Sequence, residues 1–572
     1  MRRLARVLVA AAVLAAAAAC SSGGSDGGSS GDAGPDGGDR AGAGDASAPV
    51  PVSGDVARLT CWEAPAPGAG GDDGEIAWED VTADRGLVDP LTGMHAHAAA
   101  WGDLGGDGPA LFVGTFADRP QDDYRARGAG GASPDVLLQP GDGGFEPGGL
   151  PEVRGRTSGA VFADLDGDGL ADLVVSRNPR DGDRSDAPTT VYANRGDGTF
   201  EAVEGSGLDP DIGGRSVGVL DADGDGLLDL LVVEDPYEGG SSRLYRNLGD
   251  LRFVDATEDM GLPLDVGGLG VATGDVNLDG HTDLFVGGDN RLFVGDGAGF
   301  DEAPSGVFEW ETYGDEDLVA GAVMGDVNGD GWPDLVVGHH YNSTVDLGEE
   351  VPVRLYVNRT GEPGATPEFA DVTDEAGLVG LPTRAPDLRL VDLDNDGWPD
   401  LVTTASAGEG TAPAVFRHTG EVDDEGVPRF AAPPGLGDQQ YWIGGPVADV
   451  DRDGRVDLLL VEWEPSLPSL LLRNATEGTG HWLSLSVGPE LGGGVGTRVA
   501  AYEPGGAGVP ERLVASGEIV ASAGYTSGGE QVVHLGLGER ATVDLVVSPP
   551  RQPEVVLEAV PADRHLRLPA GC

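Results

Sequence analysis

The chain contains no lysine, so its 35 basic residues are all arginine, against 98 aspartates and glutamates. The formal net charge is −63 and the pI is near 4.1. We interpret the missing lysine as a bias of genomic composition rather than a functional feature. The shortage of positive charge excludes nucleic acid as an expected partner, because phosphate binding requires a basic patch. An acidic surface of this size suits cations, basic partners or solubility outside the cell.

Cysteine is almost absent, and only Cys20, Cys61 and Cys572 occur. Cys20 follows an arginine-bearing start and the apolar run "VLVAAAVLAAAAA", which is too short to span a bilayer because a spanning helix takes about 20 residues. We therefore interpret residues 1–19 as a signal peptide. The small residues directly before Cys20 resemble a bacterial lipobox, with Ala17 in place of the usual leucine, and predict a lipid on Cys20. An ordinary signal peptide cut elsewhere is the alternative.

Residues 20–60 contain few apolar side chains and are rich in Gly, Ser, Asp and Pro, a composition typical of a disordered tether. We expect an exported protein that is lipid-anchored at the bacterial cell envelope or surface. Export permits disulfides. Cys61 and Cys572 therefore either form a bond that ties the start of the folded region to the last residue, or remain two free thiols.

Helical periodicity is also scarce, and the chain instead contains a repeat. Aspartate-rich segments like "DLDGDGLADLVV" start at residues 103, 164, 221, 275, 326, 392 and 449. Motifs such as "VYANRGDGTF" and "FVDATEDMGL" follow these segments. The first copy of the second motif, "WEDVTADRGL", lies before the first aspartate cluster of the chain. Each unit thus offers about four short β-like segments. The sequence predicts an all-β fold, with a seven-bladed β-propeller over residues 61–475 and a small β domain over residues 476–572. A linear β array is the alternative.

The aspartate clusters place oxygen atoms at positions 1, 3, 5 and 9, with glycines between them and a backbone carbonyl available at position 7. Oxygen ligands in a tight loop suit Ca²⁺ better than Mg²⁺, which demands stricter octahedral geometry. We expect about six calcium ions. A solvated Asp- and Gly-rich turn is the alternative, which six copies in register disfavour. The predicted ligands are Asp164, Asp166, Asp168, Leu170, Asp172, Asp221, Asp223, Asp225, Leu227, Asp229, Asp275, Asn277, Asp279, His281, Asp283, Asp326, Asn328, Asp330, Trp332, Asp334, Asp392, Asp394, Asp396, Trp398, Asp400, Asp449, Asp451, Asp453, Arg455 and Asp457.

The first copy departs from this pattern, since Gly105 stands at position 3 and Leu111 at position 9. We expect it to bind calcium weakly or not at all. The position 12 residue of the other copies is not a glutamate, and no helix pattern flanks the loops, so they differ from EF-hands. Each is predicted to be a calcium loop within a β-hairpin.

These units resemble the FG-GAP or VCBS repeats of integrin-α-like propellers, over about residues 76–474. The resemblance implies that the loops bind calcium and stabilise the blades. From His481 the segments "HWLSLSV", "GVGTRVAAY" and "GYTSGGEQVVHLGLG" resemble the ASPIC/UnbV domain of secreted bacterial proteins and cartilage acidic proteins. That domain usually has a Trp-Pro pair and a glycine where residues 547–551 read "VSPPR". The resemblance implies no defined activity.

Three motifs suggest chemistry without establishing it, and we predict no catalytic residue and no organic cofactor. "GRSVG" at Gly214 fits the nucleophile elbow, which requires a strand-to-helix turn, whereas its place in the repeat predicts a strand. The pairs His95 with His97 and His339 with His340 could each share a transition metal, but further ligands are not evident. Ordinary strand or loop histidines are the favoured interpretation.

Three functions stay open. The first is a non-enzymatic binding or adhesion module for protein or glycan partners, with the inserts "FADRPQDDYRARGAGGASPD", "SRNPRDGDRSDAPTT" and "HHYNSTVDLGEEVP" as candidate recognition loops. The second is a polysaccharide lyase or glycosidase, although paired catalytic carboxylates cannot be singled out among so many. The third is a structural envelope protein. The lack of a catalytic constellation favours the first, with membrane attachment through the lipid alone.

Overall fold

The computed structural model describes residues 50–51, 56–64, 76–106, 108–178, 187–235, 240–308, 317–341, 353–378, 387–404, 414–431, 442–491 and 494–569. The predicted signal peptide, Cys20, most of the predicted tether and Cys572 lie outside these ranges. Residues 49–572 cluster as one compact unit. None of the helices in the part of the chain that the structure describes could span a bilayer.

Strands of the repeat units pair into antiparallel sheets, one for each unit, which we call blades 1 to 7. Before them come β1 (Val50–Pro51), β2 (Thr60–Glu63) and β3 (Trp78–Asp80), with the short helices α1 (Val56–Leu59) and α2 (Val88–Leu91); α3 (Gln121–Ala126) lies inside blade 1. Blades 1 to 3 contain β4 (Ala96–Gly102), β5 (Ala110–Thr115), β6 (Val136–Gly141) and β7 (Gly144–Pro147); β8 (Thr157–Ala163), β9 (Asp172–Arg177), β10 (Thr190–Asn194) and β11 (Phe200–Ala202); and β12 (Gly214–Leu220), β13 (Asp229–Glu234), β14 (Arg243–Asn247) and β15 (Phe253–Asp255).

The remaining blades follow the same order. They contain β16 (Gly268–Gly274), β17 (Asp283–Gly288), β18 (Arg291–Gly295) and β19 (Phe300–Glu302); β20 (Asp317–Gly325), β21 (Asp334–Tyr341), β22 (Val353–Asn358) and β23 (Phe369–Asp371); β24 (Leu388–Val391), β25 (Asp400–Thr403), β26 (Ala414–Val422) and β27 (Pro428–Ala431); and β28 (Val447–Ala448), β29 (Asp457–Leu460), β30 (Leu470–Asn474) and β3. The predicted all-β propeller fold is therefore confirmed.

The ring closes through the N-terminal strand β3, which pairs antiparallel with β30 so that Trp78 faces Asn474. This pairing explains why the "WEDVTADRGL" motif lies before the first aspartate cluster, because the motif supplies the outer strand of the last blade. The indole Nε1 of Trp101 in blade 1 also donates to the Pro446 carbonyl beside blade 7, at 3.2 Å. These contacts between first and last blades exclude a linear array.

The hydrophobic core lies between consecutive blades rather than at one centre. Leu231 and Val233 of blade 3 pack with Leu284, Val286 and Phe293 of blade 4, all buried. The continuous apolar runs are explained by this arrangement, because the second strand of each blade is covered on both faces. Each side chain removed from water there contributes roughly 1.5–3 kcal/mol to stability.

The C-terminal β domain contains β31 (His481–Val487), β32 (Arg498–Tyr502), β33 (Leu513–Glu518), β34 (Ser527–Gly528), β35 (Val533–Gly538), β36 (Thr542–Ser548), β37 (Val555–Pro561) and β38 (Arg564–Leu568), with 3-10 turns at Pro489–Leu491 and Pro510–Arg512. One sheet has the order β1-β37-β36-β32-β33 and the other β2-β38-β31-β35. Their apolar faces share one core, which includes Leu485, Val499, Leu545 and Leu566.

The N-terminal strands β1 and β2 therefore belong to the C-terminal β domain, and the first strand of the propeller is β3. This differs from the predicted propeller start at residue 61 and from a tether that runs to residue 60. The sequence gives no local sign of it, because β2 completes its sheet through a partner about five hundred residues away.

Residues 519–531, which we call the channel segment, leave the C-terminal β domain and lie among the innermost strands of the propeller. Ser527 pairs in parallel with Ala99 of β4, and Gly524 N donates to Ala322 O of β20 at 2.8 Å. Thr526 Oγ1 donates to the His97 carbonyl at 2.9 Å. The segment contacts strands from opposite sides of the ring, so it fills the central channel.

Candidate metal-binding loops

Each aspartate loop joins the first and second strands of a blade, and we number the loops by their blades. In loop 2, Asp164 accepts the N–H groups of Gly167 at 2.8 Å and Gly169 at 3.0 Å, one on each carboxylate oxygen. Both glycines have positive φ, 76° and 89°, a conformation that side chains disfavour. The local sequence thus folds the loop around the position 1 carboxylate.

Four loops bring three carboxylates together, with one oxygen of each lying within 4.8 Å of the others. These groups are Asp164, Asp166 and Asp172; Asp221, Asp223 and Asp225; Asp392, Asp394 and Asp396; and Asp449, Asp451 and Asp453. In loops 4 and 5 an asparagine stands at position 3, and the Nδ2 atoms of Asn277 and Asn328 donate to Asp279 and Asp330 at 2.9 and 3.0 Å. The triads are positions 1, 3 and 5 in loops 3, 6 and 7, but positions 1, 3 and 9 in loop 2.

The donor set fits a hard divalent cation. It consists of oxygen atoms alone, the kind of ligand that Ca²⁺ takes. Asp394 Oδ1 and Asp451 Oδ1 are buried and have no hydrogen-bond partner among the described residues, which is costly unless a cation compensates it. Burial raises the pKa of Asp449 to about 8 and that of Asp396 to about 6, and neighbouring carboxylates add to both rises.

The position 9 aspartates have a further structural role. Asp172 accepts the N–H of Leu165 at 3.2 Å with one oxygen and that of Asn194 at 2.9 Å with the other. The other five aspartates make the same two contacts. Burial raises the pKa of Asp172 to about 7 and that of Asp283 to about 8. These residues link loop, second strand and third strand of the blade.

The position 7 residues were predicted to offer a carbonyl to the ion. Their N–H groups donate to the position 5 carboxylates at 2.9–3.0 Å, from Leu170, Leu227, His281, Trp332, Trp398 and Arg455. These hydrogen bonds fix the orientation of the side chains at position 5. The carbonyl ligands stay a prediction.

The first copy of the loop lacks this constellation in its described part. Asp103 accepts the N–H of Gly105 at 2.8 Å, and Leu111 is fully buried within β5. Asp107 lies outside the described residues. No oxygen-bearing side chain stands at positions 3 and 9, as the sequence indicates.

Asparagines at the end of the third strand are site residues that the sequence analysis missed. Asn247 Nδ2 donates to Leu228 O in its own blade and to Leu165 O in loop 2, at 2.9 and 2.7 Å. Asn358 and Asn474 reach the preceding blade in the same way, at 2.8 Å. The recurring Asn in "VYAN", "LYRN", "LYVN" and "LLRN" was the available signal.

The C-terminal β domain lies against the face of the propeller that carries the loops. Ser516 Oγ donates to Asp326 Oδ2 at 2.8 Å, and Arg551 Nη1 donates to Asp221 Oδ2 at 2.9 Å. His534 Nε2 lies 2.7 Å from Asn395 Oδ1 in loop 6. The candidate metal loops and this domain interface are thus one continuous region.

The motifs that suggested other chemistry occupy structural positions. "GRSVG" lies in β12, where Ser216 Oγ donates to Leu269 O at 2.6 Å, so the predicted strand is confirmed. His95 and His97 are buried among aromatic rings, and their Nδ1 atoms lie 2.9 and 3.2 Å from backbone carbonyls.

The second histidine pair lies in β21, where His339 is buried opposite Val319. The His340 side chain is outside the described part of the chain. Cys61, in β2, is disulfide-bonded. Since Cys20 and Cys572 both lie beyond the described ranges, the proposed pairing with Cys572 stays a prediction.

Known proteins share sequence with this chain. A family model described as FG-GAP-like repeat matches residues 180–232, 221–286, 275–337, 326–403 and 392–460. Cartilage acidic protein 1 of Xenopus tropicalis is 28% identical over 437 residues, which covers 70% of this chain and 62% of that protein. Integrin alpha-7 of Rattus norvegicus is 34% identical over 141 residues, covering 22% and 12%.

The solved structure of the Dos1 propeller matches with a TM-score of 0.36 at 9% identity, covering 68% of this chain and 94% of that chain. The chain spans less than two thirds of the length of the cartilage acidic proteins that it matches.

Proposed function

Since this chain is an FG-GAP-repeat protein homologous to cartilage acidic protein 1 and integrin alpha, we propose that it is a calcium-stabilised, non-enzymatic binding or adhesion module. Its partners would be proteins or glycans. Export by the signal peptide and a lipid on Cys20 would hold it at the bacterial cell envelope or surface.

Calcium binding is supported most directly by the convergence of three carboxylates within 4.8 Å in each of four loops. Two unit charges 4 Å apart repel by about 1 kcal/mol in water and more in a partly buried site. A divalent cation converts this repulsion into attraction. When bound, it would be held by the side chains at positions 1, 3 and 5, with the position 9 carboxylate beside them.

A binding role, rather than catalysis, is supported by what surrounds the loops. The C-terminal β domain covers the loop face, and the channel segment fills the central channel. The opposite end, where second strands turn into third strands, carries the long inserts. Insert 116–135 folds around α3, with Tyr124 buried and its hydroxyl donating to Phe116 O at 2.5 Å. Residues 179–186 and 342–352 of the other two inserts fall outside the described ranges.

The binding proposal is tested with the full chain on a glycan array and in pull-downs from envelope extracts, each with Ca²⁺ and with EGTA. We expect one ligand class to bind in Ca²⁺ and to be lost in EGTA. The same preparation is incubated with a polysaccharide panel. Turnover that a single substitution outside the loops abolishes would support the enzymatic alternative instead, and binding unaffected by EGTA would contradict the calcium dependence.

A further inference from the structure

One arginine of the C-terminal β domain reaches directly into a metal loop. Arg551 lies in the turn between β36 and β37, and its Nη1 donates to Asp221 Oδ2 at 2.9 Å. Its guanidinium lies so close to Gly224 that a Cβ there would collide with it. Asp221 also accepts Gly224 N at 2.9 Å and Gly226 N at 3.0 Å. The positive charge therefore lies on the position 1 carboxylate itself.

Loop 3 differs in this respect from the other five loops. Their position 1 aspartates accept backbone N–H groups and, in loop 5, the Ser516 hydroxyl. Within the described residues, none of those five carboxylates has an arginine nitrogen within 4.0 Å. At the later ligand positions, arginines are not confined to loop 3. Arg246 Nη1 lies 3.6 Å from Asp223 Oδ2 in loop 3, Arg417 Nε donates to Asp394 Oδ2 at 2.9 Å in loop 6, and Arg473 Nη1 lies 3.8 Å from Asp451 Oδ2 in loop 7.

The backbone of Arg551 adopts a conformation that residues other than glycine disfavour. Its φ is 55°, in the left-handed region that favours glycine. Unfavourable backbone conformations persist where the surrounding contacts require them. The guanidinium contact with Asp221 is partly buried, with side-chain exposures of 30% for Arg551 and 13% for Asp221.

We propose that Arg551 is a built-in counter-ion of loop 3 that competes with calcium for Asp221. This loop then binds calcium more weakly than loops 2, 4 and 5, whose ligand carboxylates are not paired with an arginine among the described residues. The inference rests on the proposed calcium binding. A guanidinium beside a divalent cation is repelled, so filling loop 3 requires Arg551 to leave Asp221. Calcium at this one loop is thereby linked to the position of the β36–β37 turn of the C-terminal β domain.

The test counts bound ions by native mass spectrometry of the full chain across a series of EGTA-buffered free Ca²⁺ concentrations. Wild type is compared with Arg551→Gln and with the control Arg540→Gln, a partly exposed arginine of the same domain that lies 3.9 Å from Glu503. In wild type, the ion of loop 3 should bind at distinctly higher calcium than the first three ions. Arg551→Gln should lower the midpoint of this one step by roughly tenfold or more, and the control should leave it unchanged.

Assignment to loop 3 uses the double variant Arg551→Gln with Asp225→Asn, which should lose that ion again. Hydrogen exchange of residues 549–554 in wild type gives an independent readout, and should rise over the binding step of loop 3 as Arg551 is released. Unchanged midpoints in Arg551→Gln, or unchanged exchange, would overturn the proposal while leaving calcium binding intact. Absence of bound ions at every loop would instead refute the proposed calcium function, and this inference with it.

Discussion

Single side chains connect one blade to the next. Asn247, at the end of the third strand of blade 3, donates to Leu228 of its own blade and to Leu165 in the aspartate loop of the preceding blade. Asn358 makes the equivalent pair of bonds in blade 5. Each of these buried hydrogen bonds contributes about 1 kcal/mol, and losing a donor leaves buried carbonyls unsatisfied. The asparagine recurs in the sequence motif of the third strand. Its second acceptor lies about eighty residues away, so this contact could not be predicted from the local sequence.

Asn247→Ala should therefore lower the free energy of unfolding by roughly 2–4 kcal/mol, because two carbonyls lose their donor. Urea unfolding, monitored by tryptophan fluorescence, measures this change in the free energy of unfolding. The control is Leu248→Ala, since Leu248 is 56% exposed and should change stability by about 0.5 kcal/mol or less. Equal effects of the two variants would contradict the assigned role of Asn247.

A second residue gives a pH signature. His565 is buried between Ser484 Oγ at 2.8 Å and Ser486 Oγ at 3.0 Å and is stacked on Trp62. Burial lowers its pKa from 6.5 to about 3, with Arg452 and Arg567 adding to the effect. Because the unfolded chain then binds the proton more tightly, this residue makes stability fall as pH drops from about 6.5 towards 3.

Replacing His565 with Gln should remove this contribution. Between pH 6 and pH 4, the free energy of unfolding of the wild type should fall by up to about 1.4 kcal/mol per pH unit more than that of the variant. This is the slope expected when unfolding takes up one proton. Chemical unfolding of both proteins at a series of pH values gives the difference in slope, which is independent of any constant destabilisation by the substitution. Parallel profiles would show that His565 is not held neutral in the fold.

At the scale of the element, the aspartate loop is largely predictable, because its contacts are local. Position 1 accepts N–H groups three to five residues ahead, and the intervening glycines supply the positive φ that this requires. The sequence therefore predicted the loops within the hairpins, and in loops 3, 6 and 7 the side chains at positions 1, 3 and 5 lie together. It missed the contact of position 9 with the third strand, since the length between second and third strands varies from blade to blade.

Matched substitutions at position 1 distinguish a predicted calcium loop from the incomplete first copy of the loop. Asp164→Ala should remove one bound calcium ion and reduce the stabilisation by calcium, because position 1 contributes to the ligand set. Asp103→Ala, at the same position of the first copy, should leave both unchanged. Metal analysis of the desalted proteins and melting curves in calcium test this. Loss of an ion in Asp103→Ala would show that the first copy also binds.

At the scale of the molecule, the repeat predicted the propeller, but not how the C-terminal β domain joins it. Ring closure by β3, the pairing of β2 with β38 and the channel segment all involve partners hundreds of residues apart. No periodicity in the sequence encodes such contacts. The sequence "GYTSGG" is predicted to belong to the small β domain, whereas Gly524 N donates to Ala322 O and the Ala523 carbonyl accepts from Arg389 at 2.7 Å.

The channel segment predicts that propeller and C-terminal β domain unfold together. Gly524 has a φ of 71°, and a Cβ there would collide with Asp387 and Arg389 of blade 6. Gly524→Ala should destabilise the protein by roughly 2–4 kcal/mol more than the control Gly508→Ala, because Gly508 has a similar φ of 74° but open space around it. Calorimetry should give one transition for wild type. Equal destabilisation by both variants would contradict the close fit in the channel.

The central claim is that cations neutralise the loops and thereby hold the blades together. The most direct test is the melting temperature of the full chain across EGTA-buffered free Ca²⁺, with bound metal counted in the same samples. The account predicts about six ions at saturation and a melting temperature that rises steadily with calcium, because a ligand that binds only the folded state stabilises it. A metal-free protein that melts at the same temperature as the calcium-saturated one would contradict it.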